Sequence, residues 1–200
     1  GDDSAAYDVR DIINAVVDNG ALLELKQDFA KNIVTGLARL GGVSAGVIAN
    51  QAAHLGGALD VDAVTKAARF VRFCDAFGVP IISFVDAASF LPGAEQEHGG
   101  LVRHGAKLLY AYAQAAVPVI TVILRRAYGG AYIAMGSKHI GADMVYAWPT
   151  AKVAVTSPSA AASILFRGEI ASADDPAAAR QVRIEEYANA YANPYIAAGK

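Results

Sequence analysis

Cysteine is almost missing: the 200-residue chain carries one, Cys74. A lone cysteine excludes an internal disulfide and any Cys-rich zinc module. Charge is sparse, with Asp, Glu, Lys and Arg making up 18% and a formal net charge of −2. That balance offers no basic footprint for nucleic acid. Long hydrophobic runs are absent too. Stretches such as Val117–Leu124 (VPVITVIL) fall far short of the ~20 residues a membrane helix needs, so no membrane span is expected. The opening residues Gly1–Asp8 are acidic and polar, unlike a secretory leader, and the expected location is cytoplasmic. The four histidines (His54, His98, His104 and His139) lack metal-ligand spacing, with His98 and His104 six apart. No metal is expected, and no paired-carboxylate motif stands out.

What remains is apolar. A hydrophobic content of 54% suits one domain with a sizeable core. So little charge on a chain this rich in Ala and Gly implies that partners cover much of its surface, and an oligomer is expected.

The pattern reads as follows. Tyr7–Val17 is an amphipathic helix ended by Asp18-Asn19-Gly20. Ile33–Leu40 and Val43–Asn50 form a hairpin across Gly41-Gly42. Asp62 caps a helix over Ala63–Phe77, which Gly78 and Pro80 stop. Ile81–Val85 is a buried strand with Asp86 at its end, followed by a Gly-rich loop and a helix from Gly99 to Ala116. Val119–Leu124 is a second buried strand. It runs through Arg125-Arg126 into a Gly129-Gly130 turn and a helix reaching Ile140. Asp143–Ala147 and Lys152–Val155 are strands, Ala160–Phe166 is a helix, and Asp174–Ala192 is an amphipathic helix. Continuous apolar strands alternating with helices indicate an α/β fold whose sheet is covered on both faces.

Chemistry is best placed at Ala127–Met135 (AYGGAYIAM). Glycines allow close backbone approach, and the first N–H groups of a helix lack internal acceptors. With the helix dipole, the N–H groups around Gly130 and Ala131 make a candidate oxyanion hole. A turn needed only for close helix–sheet packing explains the same residues equally well. The loop Asp86–Gly93 (DAASFLPG) occupies the usual ligand position beyond a parallel strand, although a plain connection accounts for its composition. Ser157 and Pro158 read first as a helix cap and first turn. Ser157 lacks the G-x-S-x-G setting of a nucleophile.

Several stretches carry a family resemblance. Tyr7–Ile12 (YDVRDI), Val47–Gln51 (VIANQ), Lys66–Asp75 (KAARFVRFCD), Phe90–Gly93 (FLPG), Gln96–Tyr110 (QEHGGLVRHGAKLLY), Ala127–Tyr132 (AYGGAY) and Tyr146–Thr150 (YAWPT) are in order along nearly the whole chain. Together they resemble the C-terminal half of biotin-dependent acyl-CoA carboxyltransferase β subunits, the family of propionyl-CoA carboxylase and the large transcarboxylase subunit. Methylmalonyl-CoA decarboxylase α subunits are near relatives.

The resemblance implies a crotonase-like (ClpP/crotonase) fold of stacked ββα units. Residues 1–200 would be the biotin-facing C-terminal domain, without its CoA-binding N-terminal half. It implies transfer of a carboxyl group between carboxybiotin, held on a biotin carboxyl carrier protein, and the α-carbon of a short acyl-CoA. Gly130 and Ala131 would supply the N–H groups that stabilise the biotin oxyanion. Gly129, Phe90, Ser89, Ser157 and Pro158 would join them around biotin. Ile133 matches a position that helps select acyl chain length, where members acting on propionyl-CoA commonly carry Asp.

The chain also departs from the family pattern. Ala88 and Ser89 stand where Pro and Gly are usual, and Ser157 and Ala160 replace glycines in a segment where relatives read A-V-M-G-A-x-G-A. Added side chains should narrow the pocket, and Pro158 removes a donor. A catalytically silent scaffold of the same fold, or a malonyl-type-CoA decarboxylase subunit, therefore stands beside the carboxyltransferase reading. A hydratase would need a pocket Glu, for which Glu95 and Glu97 are the candidates, expected in a loop.

Overall fold

The structure, a computed structural model, describes residues 5–199. Its frame is one mixed sheet. The strands β1 (Leu22–Glu24), β2 (Ile33–Leu40) and β3 (Val43–Asn50) run antiparallel. From β3 the sheet continues in parallel through β4 (Ile81–Ala87), β5 (Val119–Tyr128) and β6 (Met144–Ala147). The last strand, β7 (Lys152–Ala154), pairs with the far end of β5.

The hairpin falls where expected, with Leu40 opposite Val43 and both turn glycines at positive φ. The Asp18 carboxylate accepts from the N–H groups of Gly41 at 2.9 Å and Gly42 at 2.7 Å, pinning the turn to the end of the first helix.

Strand residues alternate between two cores, as continuous apolar runs buried on both faces require. On one face, α1 (Val9–Val16) lays Val9 and Ile13 against Val34, Val47, Ala49, Phe84 and Leu124. On the other, α2 (Val61–Ala76) follows β3, while the short α3 (Ala94–His98) and α4 (Leu101–Gln114) follow β4. Helices α2 and α4 cover Ile33, Ile48, Ile81, Val85 and Ile123. After β5 comes α5 (Gly129–Ala134), and the chain ends in α6 (Pro158–Leu165), α7 (Arg167–Ser172), α8 (Pro176–Tyr191) and α9 (Pro194–Ala198).

Several expectations need correction. The cap of α2 is Asp60, whose carboxylate accepts from Ala63 N at 2.8 Å; the expected Asp62 already lies in the first helical turn. The helix after Gly130 stops at Ala134 instead of reaching Ile140. Gly136 turns left-handed (φ +77°), and its carbonyl is taken by the Thr121 hydroxyl. Glu95 and Glu97 sit in α3, not in a loop. The long helix α8 has no buried residue, so it presents no apolar face to a core among the described residues. Its own Val182 and Tyr191 are exposed, as are Val155, Ile164 and Leu165 nearby in the chain.

One buried cation was not anticipated as such. Lys66 of α2 is 2% exposed, and its Nζ donates to the carbonyls of Phe29 (2.7 Å) and Ile33 (2.8 Å). These bonds pin the loop between β1 and β2. Burial, the main cause, brings its pKa down to about 8.

Candidate functional site

The parallel strands β4, β5 and β7 end at one edge of the sheet, the usual place for a ligand crevice. The ten-residue β5 changes neighbours along its length. Ile120–Ile123 pair with Met144–Ala147 of β6, and Arg126–Tyr128 pair with Lys152–Ala154 of β7. It then delivers the chain into α5.

Gly129 makes that entry possible. Its φ is +53°, and a Cβ there would lie 2.8 Å from the carbonyl oxygen of Val155 just after β7. Left-handed backbone and close approach both demand glycine. Gly130 is different: its φ is ordinary, and a Cβ would meet the Phe90 ring at 3.4 Å, a normal contact.

No side chain caps α5 at Tyr128, and the first N–H groups of the helix, including those of Gly130 and Ala131, have no acceptor within it. Gly130 is exposed while Ala131 is buried. Ile133, half-buried, follows Gly130 by three residues and so shares its side of the helix.

Beside this turn lies a groove of about 650 Å³. Ala88 and Ser89 after β4, Arg126 and Tyr128 of β5, Lys152 of β7, residues 156–160, and one side of α8 line it. Three expected site residues, Ser89, Ser157 and Pro158, meet in this groove, together with the departures Ala88 and Ala160.

The other expected site residues lie outside its lining. Gly129, Gly130 and Ala131 follow directly on the lining residue Tyr128. The Phe90 ring packs between Gly105 of α4 and Gly130, at 3.2 and 3.4 Å from the Cβ positions those glycines would carry. Phe90 thus braces the turn from the core side. Ser157 is a cap, as its position suggested: its hydroxyl accepts from Ala160 N at 3.2 Å. Pro158 occupies the first turn of α6 and is buried.

Sequence reasoning missed the centre of charge behind the groove. Asp86, fully buried near the end of β4, accepts five hydrogen bonds. Its Oδ2 takes Arg125 Nε (3.0 Å), Arg125 Nη2 (2.8 Å) and the Tyr7 hydroxyl (3.1 Å). Its Oδ1 takes Arg126 Nε (2.6 Å) and Arg126 N (3.2 Å). Burial, reinforced by the Asp86 charge, raises the Tyr7 phenol above its ordinary pKa, so Tyr7 stays a donor. A carboxylate ending an apolar strand must find counter-charge, and the Arg125-Arg126 pair on a neighbouring strand was the signal available. Among the described residues, no group of three His, Cys, Asp or Glu is placed to hold a metal ion.

The sheet, its flanking helices and the β5–α5 turn define a crotonase/ClpP-like carboxyltransferase fold. The chain belongs to the carboxyl transferase domain family, which it matches over residues 1–200. It is 57% identical over 194 residues to the propionyl-CoA carboxylase carboxyltransferase subunit of Haloferax mediterranei, covering 97% of this chain and 38% of that protein. It is 53% identical over 199 residues to the methylmalonyl-CoA carboxyltransferase 12S subunit of Propionibacterium freudenreichii subsp. shermanii, covering 100% and 38%. A crystal structure of transcarboxylase 12S, a hexamer with methylmalonyl-coenzyme A and methylmalonic acid bound, superposes with a TM-score of 0.94. Identity there is 54%, over 99% of this chain and 38% of the other. The chain thus spans under two-fifths of the length of these relatives.

Proposed function

We propose that the chain is the biotin-facing C-terminal domain of a carboxyltransferase that moves a carboxyl group between carboxybiotin and the α-carbon of a short acyl-CoA. What supports this reading is the uncapped start of α5, which follows directly on Tyr128 in the lining of a groove of about 650 Å³. The groove is large enough for a bicyclic ureido ring, and exposed Gly130 lets an oxygen approach the backbone without meeting a side chain.

Carboxybiotin, brought on a carrier protein, supplies the carboxyl group. Gly130 and Ala131 donate their N–H groups to the ureido oxygen as negative charge builds on it, the arrangement that makes an oxyanion hole effective. Gly129 sets the turn, Phe90 supports it, and Ser89, Ser157 and Pro158 shape the groove. Ile133 presents an apolar surface toward the acyl chain. Selectivity from such a contact is worth ~1–3 kcal/mol per methylene. The acyl-CoA itself is held by a CoA-binding carboxyltransferase half, and the assembly is a cytoplasmic homo-oligomer. The exposed apolar surface around α6 and α8 supports an oligomer.

A second reading, a silent scaffold, is favoured by the groove itself: Pro158 offers no N–H, and the Ser157 hydroxyl is committed to Ala160. The deciding experiment combines the chain with a CoA-binding carboxyltransferase half and follows carboxyl transfer from carboxybiotin. Transfer is expected, and Gly130→Pro, which deletes one donor where a first helical turn tolerates proline, should lower kcat ~100-fold or more. A wild-type mixture that binds biotin but transfers nothing selects the scaffold. Production of CO₂ from a malonyl-type CoA without transfer selects a decarboxylase subunit.

A further inference from the structure

We propose that Asp86 is a positioning residue for this site: its carboxylate holds a bulge in β5 that sets where the Gly130 and Ala131 N–H groups lie relative to Ala88-Ser89. The inference rests on the function proposed above and identifies what aligns its two walls.

The register of β4 against β5 shows the device. Val85 pairs with Ile123, and the next pair is Ala87 with Ala127. One residue on β4, Asp86, therefore faces three on β5: Leu124, Arg125 and Arg126. A bulge leaves backbone groups without ladder partners, and both its side chains and its backbone need another anchor. Asp86 supplies one. It accepts from the bulged Arg126 N at 3.2 Å and from both guanidinium groups. Its own N–H is held by Asn50 Oδ1 at 3.2 Å, and Arg126 Nη2 reaches Gly56 O at 2.8 Å. Asp86 and the bulge are thereby fixed to the end of β3 and the segment that follows it.

Hydrophobic patterning alone does not hold this register. The bulge adds two residues to β5, and a slip of two leaves every side chain on its original face. Such a slip would carry Tyr128, Gly129 and Gly130 ~7 Å along the strand axis, far beyond what an oxyanion hole tolerates. The bulge also marks where β5 exchanges β6 for β7 as a neighbour, so losing it would disturb the β7 wall of the groove.

The test uses Asp86→Asn, which keeps shape but removes the charge, and Asp86→Glu, which keeps the charge. Each is measured in the full chain combined with a CoA-binding half. Kinetics are normalised to folded protein, and amide hydrogen exchange is read by segment. For Asp86→Asn the expected result is a loss in kcat of about 100-fold with KM for the acyl-CoA within about twofold. Amide exchange should accelerate at residues 87–90 and 127–132 while the β2–β3 hairpin is unchanged. Asp86→Glu should recover part of both.

A kcat per folded enzyme within about twofold of wild type, or exchange that rises equally in the hairpin, overturns the proposal. If Asp86→Asn does not fold, Arg126→Lys must show the same local exchange pattern in milder form, and its absence counts equally against Asp86. If the unaltered chain transfers no carboxyl group, the proposed function falls, while the exchange measurement still decides the role of Asp86.

Discussion

Replacing Gly129 with alanine adds one methyl group to the entry of α5, and the structure predicts how much that disturbs. Backbone at φ +53° costs an L-residue ~1–2 kcal/mol. The new Cβ would also lie 2.8 Å from the Val155 carbonyl oxygen, so β7 or α5 must move by several tenths of an ångström. Together these place the loss at ~3 kcal/mol, within the range for strain at a special backbone position. For a domain of this length that is a drop in Tm of roughly 6–12 °C.

The control is one residue away. Gly130→Ala adds the same methyl at an ordinary φ with 3.4 Å to Phe90, inside a helix where alanine is favoured by up to ~1 kcal/mol. It should leave stability unchanged or slightly raised. Urea and thermal unfolding of both variants measure the contrast. Two variants of equal stability, or a Gly130→Ala that is the weaker one, would refute the assigned geometry of the turn.

Two further outcomes follow from buried groups. Lys66 has a folded pKa of about 8 against an ordinary 10.5, so between those values the unfolded chain holds a proton that the folded chain has released. Its contribution to stability must therefore rise with pH across that window, by up to ~3 kcal/mol. The difference in unfolding free energy between wild type and Lys66→Met, measured from pH 7 to 10.5, should show that slope. A flat difference sinks the idea. Burial pushes the Cys74 thiol up to about 12, so at pH 8 a thiol reagent should react only as fast as the chain unfolds. Stoichiometric labelling of folded protein within seconds would contradict its burial.

Local patterning made much of the fold readable in the sequence. Period-two alternation was absent from the central strands because both of their faces are covered, and that absence indicated a covered sheet. Gly41-Gly42 between two eight-residue strands specified a hairpin, and Ser157-Pro158 specified a helix start. Gly129-Gly130 before a helix marked the candidate site, and the ordered motifs gave its family. These features depend on residues within one turn or strand of each other, so spacing along the chain suffices.

Tertiary structure decided the rest. That Asp86 meets both Arg125 and Arg126, about forty residues away, depends on the register and bulge of two parallel strands. No local rule sets that pairing. Helix packing likewise brings Lys66 beneath three backbone carbonyls, the third Ala30 O at 3.4 Å. The division within the family-matched residues has the same cause: Ser89, Ser157 and Pro158 converge on a groove, while Phe90 turns inward to support Gly130. Sequence alone marked the candidate turn at Gly129–Ala131. Only the packed strand ends determined which of the family-matched residues face the groove and which hold it in place, because that distinction is set by contacts between distant segments.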